Sequence, residues 1–196
     1  NRAVDFLSRV GDEPFVLSCC FDEPHDPWIT PPEYWEKFKP GDLPQRPNFD
    51  SGEEGKPDLQ QIAAQDILRE HGELSWDELM AKRLKFFGCN SYIDSEIGRV
   101  VEAVDALHAD DTMVIYVSDH GDQLGSHGLH DKGAYMYEET CNVPFIVRGP
   151  GMPEGAVSDA LVSHLDILPT MLDYAGADVP DSLHGKSLRP VLSDPG

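Results

Sequence analysis

The sequence predicts an α/β fold, a mixed and mostly parallel sheet sandwiched by helices. Three observations carry this. Short apolar runs at 15–21, 112–118 and 143–148 have the length of buried strands. Phe86, Cys89, Ile93, Ile97, Val100, Val104 and Leu107 recur at steps of three and four, the stripe of a long core-facing helix. The resulting order of strand, loop, long helix, strand, loop, strand is that of layered α/β architecture.

Arg2 to Leu7 reads as the end of a helix and the chain starts at Asn1, so it is expected to be a piece of a longer protein. The run Phe15–Phe21 leads into Asp22-Glu23-Pro24-His25-Asp26-Pro27-Trp28, where two prolines exclude helix and place His25 on a loop. Residues 30–57 are rich in Pro, Gly and charge and read as a surface excursion. A helix is expected over 59–69. Ser75 to Glu78 has the form of a capping box in front of the long helix. Asp110-Asp111 turns the chain into the strand that starts at Thr112. A turn-rich connector follows Gly151, a helix over Met171–Ala175 stops at Gly176, and His184 to Leu192 closes the chain. Residues 1–196 are read as one partial domain carrying the excursion at 30–57.

The chain holds 36 acidic against 15 basic residues, a formal charge of −21. That balance argues against nucleic acid and anionic membrane as partners. No stretch approaches the roughly 20 apolar residues of a membrane span, and no signal-peptide pattern is present. An acidic chain that binds an anion needs a metal and local cations to reverse the sign inside the site. The four cysteines, Cys19, Cys20, Cys89 and Cys141, have no C-x-x-C spacing and are read as buried small hydrophobes.

The strand Thr112–Ser118 runs straight into Asp119-His120-Gly121-Asp122. Carboxyl ends of strands are where open α/β sheets place ligands. Asp119 offers a hard oxygen and His120 a borderline nitrogen, so calcium, magnesium, manganese and zinc all suit the pair. Two ligands are too few for a complete site. Asp122 is the weaker carboxylate, read as a non-ligand. His127 and His130 lie in the same loop, each able to touch substrate or to serve only the loop. Lys132 supplies a point charge for a sulfate or phosphate oxygen. His25 ends another expected strand, and its near-neutral pKa suits it to a leaving oxygen.

Ser118-Asp119-His120-Gly121-Asp122-Gln123-Leu124-Gly125-Ser126-His127-Gly128-Leu129, with Lys132 downstream, resembles the metal loop of the type I sulfatases of the alkaline phosphatase superfamily. The Pro24-His25 pair, Val143–Gly151, Ser163–Thr170 and His184–Leu188 resemble further segments of that family. The resemblance implies an alkaline-phosphatase-like fold, incomplete at its amino terminus, and hydrolysis of a small-molecule or carbohydrate sulfate ester. It implies Asp119 and His120 as ligands of a divalent cation, calcium first, with manganese or magnesium as alternatives. It implies Lys132 as a sulfate contact and His25 as the histidine near the leaving oxygen; His127 is expected to bind substrate from its place in the loop. Asp-His in place of Asp-Asn is similar to the choline-sulfatase and iduronate-sulfatase branches and to phosphonate monoester hydrolases. The family nucleophile, a formylglycine made in a C/S-x-P-x-R motif, has no complete counterpart in these residues. It is expected in an amino-terminal portion, and the chain alone is expected to be inactive. A phosphonate monoester or phosphodiester hydrolase and a non-catalytic metal-loop domain are the alternatives.

Overall fold

The computed structural model describes residues 2–195, and its longest element is the helix that the apolar stripe predicts. In chain order the helices and strands are α1 (Arg2–Val10), α2 (Pro32–Trp35), α3 (Asp58–His71), α4 (Trp76–Leu107), β1 (Val114–Val117), α5 (Glu138–Cys141), β2 (Phe145–Arg148), α6 (Ile167–Tyr174) and α7 (Arg189–Ser193). They pack as two units. One comprises residues up to His108 with His120–Val143, the other Ala109–Asp119 with the chain from Pro144 onward.

In the first unit α4 is the organising element. Its capping box forms as expected: Ser75 Oγ accepts from Glu78 N at 3.4 Å and Ser75 N donates to Glu78 Oε2 at 2.9 Å. Leu79 and Met80 at its start are each 1% exposed and, with Trp76, form the centre of a core. Leu43 and Phe49 pack on that core, so the excursion at 30–57 is a packed part of the unit and not only a surface feature. Trp76 Nε1 also donates to Leu43 O at 3.0 Å. Along α4, Cys89 is fully buried and Val104 is 7% exposed. Gly88 allows α2 to approach, because a Cβ there would lie 2.5 Å from the Cβ of Trp35. At the far end Phe15 stacks edge-on against Phe6 and His108.

The second unit holds a two-stranded sheet, β1 against β2, antiparallel from Val114↔Arg148 to Val117↔Phe145. The mostly parallel sheet expected from sequence is therefore not formed among the described residues. The connecting chain leaves and returns at the same end of the pair, as antiparallel strands require. The expected strand at 15–21 is likewise unpaired. A strand exists only as one side of a ladder, and no described segment offers this run a hydrogen-bonded edge. Val16 is 76% exposed, and Cys19, Cys20 and Cys141 are exposed as well. Only Cys89 fits the reading of buried cysteines, since the other three lack a covering layer.

Two late motifs meet in this unit. Asp166 Oδ1 accepts from Lys186 N at 2.8 Å, and the hydroxyl of the buried Thr170 accepts from Leu188 N at 2.8 Å. The segment 163–170 thereby holds the segment 184–188. No helix among the described residues is long and apolar enough to cross a membrane.

Candidate functional site

The loop after β1 begins from a fixed point. His164 Nε2–H donates to Ser118 O at 2.7 Å, one residue before Asp119. Asp119 is exposed and ends the first segment of its unit, and His120, half-buried, opens the second segment of the other. His120 Nδ1–H donates to Gly121 O at 2.9 Å. That tautomer leaves the lone pair on Nε2, the arrangement in which an imidazole ligates a metal. A carboxylate oxygen and this nitrogen fit a divalent cation as donors. Among the described residues no group of three or more His, Cys, Asp or Glu gathers to hold a metal. Two such donors are fewer than a divalent cation takes.

Gly121 brings the loop against α5: its N–H donates to Thr140 O at 2.9 Å, and a Cβ on it would run into Glu139 O. Asp122 Oδ1 accepts from Leu124 N at 2.8 Å, yet burial pushes its carboxyl above the ordinary range. Gln123 is fully buried and donates from Nε2 to Thr140 Oγ1 at 2.6 Å. Leu124, His127 and Asp131 all have positive φ, at 46°, 57° and 55°. Such backbone costs about 1–3 kcal/mol per residue and persists only where surroundings impose it.

Those surroundings are polar. Asn48 Nδ2 donates to His127 at Nε2, 2.9 Å away, and to Glu139 Oε1 at 2.7 Å. The His127 ring stacks on Tyr137 with centroids 3.8 Å apart, and Ser51 Oγ lies 3.3 Å from its Nδ1. Burial and the nearby Lys56 hold His127 below the ordinary histidine pKa, favouring the neutral ring. His127, expected to touch substrate, is thus engaged with Asn48, Ser51 and Tyr137. His130 is pushed down to about 4, first by burial and then by Arg83 and His71. A polar cavity of about 390 Å³ opens beside the loop, lined by Arg46, Asp122, Glu138, Glu139 and Asn142. Arg46 brings the excursion to this cavity.

Lys132 is exposed at the end of the loop, and its charge acts on Asp122. His25 is exposed on its own loop, where its Nδ1 lies 2.8 Å from Asp26 O and its N–H donates to Asp22 O at 3.0 Å. His25, His120, His127 and Lys132 all belong to the first unit, and Asp119 belongs to the second. Sequence reasoning missed Asn48, Glu139 and Arg83. Asn48 and Glu139 carry no local signal. Arg83 does: it falls seven residues after Trp76 and three before Phe86, a charge on the apolar face of α4.

The family model described as Sulfatase matches residues 1–177. Among curated proteins, the uncharacterized sulfatase YidJ of Escherichia coli (strain K12) is 37% identical over 200 residues, covering 100% of this chain and 39% of its own. An N-acetylglucosamine-6-O-sulfatase of Bacteroides thetaiotaomicron is 41% identical over 106 residues, covering 53% of this chain and 19% of its own. Among solved structures, a phosphonate monoester hydrolase from Silicibacter pomeroyi superposes with a TM-score of 0.86 at 25% identity, over 99% of this chain and 41% of that one. The chain spans about two fifths of the length of the curated relatives it matches from end to end.

Proposed function

This chain belongs to the sulfatase family, and from that premise we propose that it forms the metal-loop portion of a metal-dependent hydrolase of sulfate esters. The observation that carries the reading is the sequence from Asp119 to Lys132, in which an Asp-His pair suited to a metal leads into a loop, residues 120–133, that is held by Asn48 and Thr140 and carries a cation near its end. Asp119 and His120 would hold the divalent cation, calcium first and manganese or magnesium as alternatives. When bound, that ion neutralises charge developing on the ester's oxyanion. Lys132 binds a second non-bridging oxygen and stabilises it as a point charge. His25 lies toward the leaving oxygen and gives it a proton as the bond to sulfur breaks. His127 keeps the loop in place through Asn48 and Tyr137. The nucleophile and the remaining ligands are assigned to chain outside these residues, because no complete C/S-x-P-x-R motif occurs within them.

The substrate class we infer is a sulfated carbohydrate or another small sulfate ester, supported by the name of the N-acetylglucosamine-6-O-sulfatase relative. A phosphonate monoester hydrolase is the second reading, favoured by the likeness to the Silicibacter pomeroyi enzyme and by the Asp-His pair. The test compares 4-nitrophenyl sulfate with 4-nitrophenyl phenylphosphonate on the full-length protein with added calcium. A higher kcat/KM for the sulfate, lost together with calcium binding in Asp119→Ala, is the expected result. A preference for the phosphonate ester selects the second reading. Turnover of neither rejects both.

A further inference from the structure

Arg83 lies on the apolar face of α4 and is 6% exposed. A guanidinium in that place has to be held by its neighbours, since an unpaired buried charge costs several kcal/mol. Two neighbours come from different loops. On one side the Arg83 guanidinium sits over the indole of Trp28, 4.7 Å from the ring centroid. One helical turn on, Phe86 meets the same indole edge-on, with centroids 6.1 Å apart. Trp28 Nε1–H in turn donates to Pro24 O at 2.9 Å, closing the loop that carries His25. On the other side Arg83 Nη1 lies 3.4 Å from Asp131 Oδ1, next to Lys132. Asp131 holds a left-handed φ of 55°, and its carbonyl accepts from the N–H of the buried Gln123 at 2.8 Å. The same cation contributes to depressing His130, so its charge faces this loop as well.

We propose that Arg83 is a positioning residue that ties the two substrate loops to one helix: it stacks on Trp28 to set the His25 loop and pairs with Asp131 to set Lys132. The assignment rests on the reading of His25 and Lys132 as substrate contacts. One side chain thereby fixes the reach from the group that protonates the leaving oxygen to the group that holds the ester's oxyanion. A lysine cannot replace it in both roles, because stacking on an indole and a bond to a carboxylate draw on different parts of a planar guanidinium.

The test uses the full-length protein with Arg83→Met, which keeps apolar volume, and Arg83→Lys. Hydrogen–deuterium exchange reads the tether directly. In Arg83→Met, exchange is expected to rise over 22–29 and 129–133 and to stay unchanged in the rest of α4. In Arg83→Lys, protection should return over 129–133, through the ion pair, and not over 22–29. With a series of aryl sulfates, Arg83→Met should lower kcat by about 10²-fold, the scale of a misplacement near 1 Å. The loss should be larger for esters of less acidic phenols, where protonation of the leaving oxygen matters most. Exchange that rises uniformly, or in neither loop, overturns the tether. Loosened loops with unchanged kcat and leaving-group dependence overturn the positioning role. If the wild type hydrolyses no sulfate or phosphonate ester while the exchange pattern holds, the functional reading fails and the tether stands.

Discussion

The two loops that carry the candidate site are built in opposite ways. The 120–133 loop is over-determined. It is bonded to α5 through Gly121 and Gln123, stacked on Tyr137 through His127, and held from the excursion by Asn48, with three non-glycine residues forced to positive φ. The 22–29 loop is held mostly by itself: His25 N to Asp22 O, Trp28 to Pro24, and His25 to Asp26. It meets the helical core through the indole of Trp28, between Arg83 and Phe86, and through the charge of Glu23 acting on the thiol of Cys89. The difference matches the proposed chemistry. A cation and an anion contact need fixed geometry, because electrostatic stabilisation depends on preorganisation. A group that delivers a proton has to meet different leaving groups. Packed positions of the first loop, such as Gly121, should therefore answer mutation with lost stability, whereas its exposed Lys132 and the second loop should answer with lost activity at little cost in stability.

The largest effect on stability is expected at Gly121. Gly121→Ala drives a Cβ into Glu139 O, a backbone atom that cannot swing away. Urea unfolding should show a loss of about 3 kcal/mol, the upper range for overpacking. A loss near zero would mean that loop and helix are not bound as rigidly as described.

Next comes the pH dependence of the same loop. His130 titrates at the ordinary value of 6.5 when unfolded and at about 4 when folded, held down by burial, then Arg83 and His71, with Lys82 adding and Asp131 opposing. The unfolded chain thus binds more protons between these values, so stability rises with pH through the window. The contribution is fully present above pH 6.5 and is lost as pH falls toward 4. After allowance for residual exposure it amounts to about 1.5 kcal/mol. Unfolding free energies of the wild type and His130→Gln, followed from pH 7 to 4, should converge by that amount. Parallel curves would place His130 in solvent.

The smallest effect on stability belongs to the looser loop. His25→Ala removes an exposed side chain and should change unfolding free energy by less than about 0.5 kcal/mol. Its kcat on esters of weakly acidic alcohols should nevertheless fall about 10²-fold, the usual scale of general acid catalysis. A large stability loss with unchanged kcat would reverse the contrast between the loops.

How far the sequence was readable follows from the range of each interaction. The long helix, its capping box and the strands at 114–117 and 145–148 follow from local periodicity and turn chemistry, and they appear within a few residues of expectation. The Asp-His loop was legible as a motif. Strand pairing was not, because Phe15–Phe21 has the composition of a strand and a strand needs a partner that composition does not reveal. The burial of Cys19 and Cys20 failed with it. Asn48 was illegible for another reason: it reaches His127 across 79 positions, from a segment that reads as surface. Arg83 could have been read, since a lone arginine on an otherwise apolar helical face asks for a partner.

The 120–133 loop, with Asp119 before it, is proposed to bind a cation and the anionic ester. Loss of the Lys132 charge bears on that proposal without disturbing the fold, because the side chain is exposed and contributes little to packing. The measurement is calcium-dependent turnover of 4-nitrophenyl sulfate by full-length wild type and Lys132→Ala, with thermal unfolding recorded in parallel. The expected kcat/KM of Lys132→Ala is lower by about 10²–10³-fold at a melting temperature within about 2 °C of wild type. A Lys132→Ala protein that unfolds while its folded fraction keeps wild-type turnover would contradict the proposal.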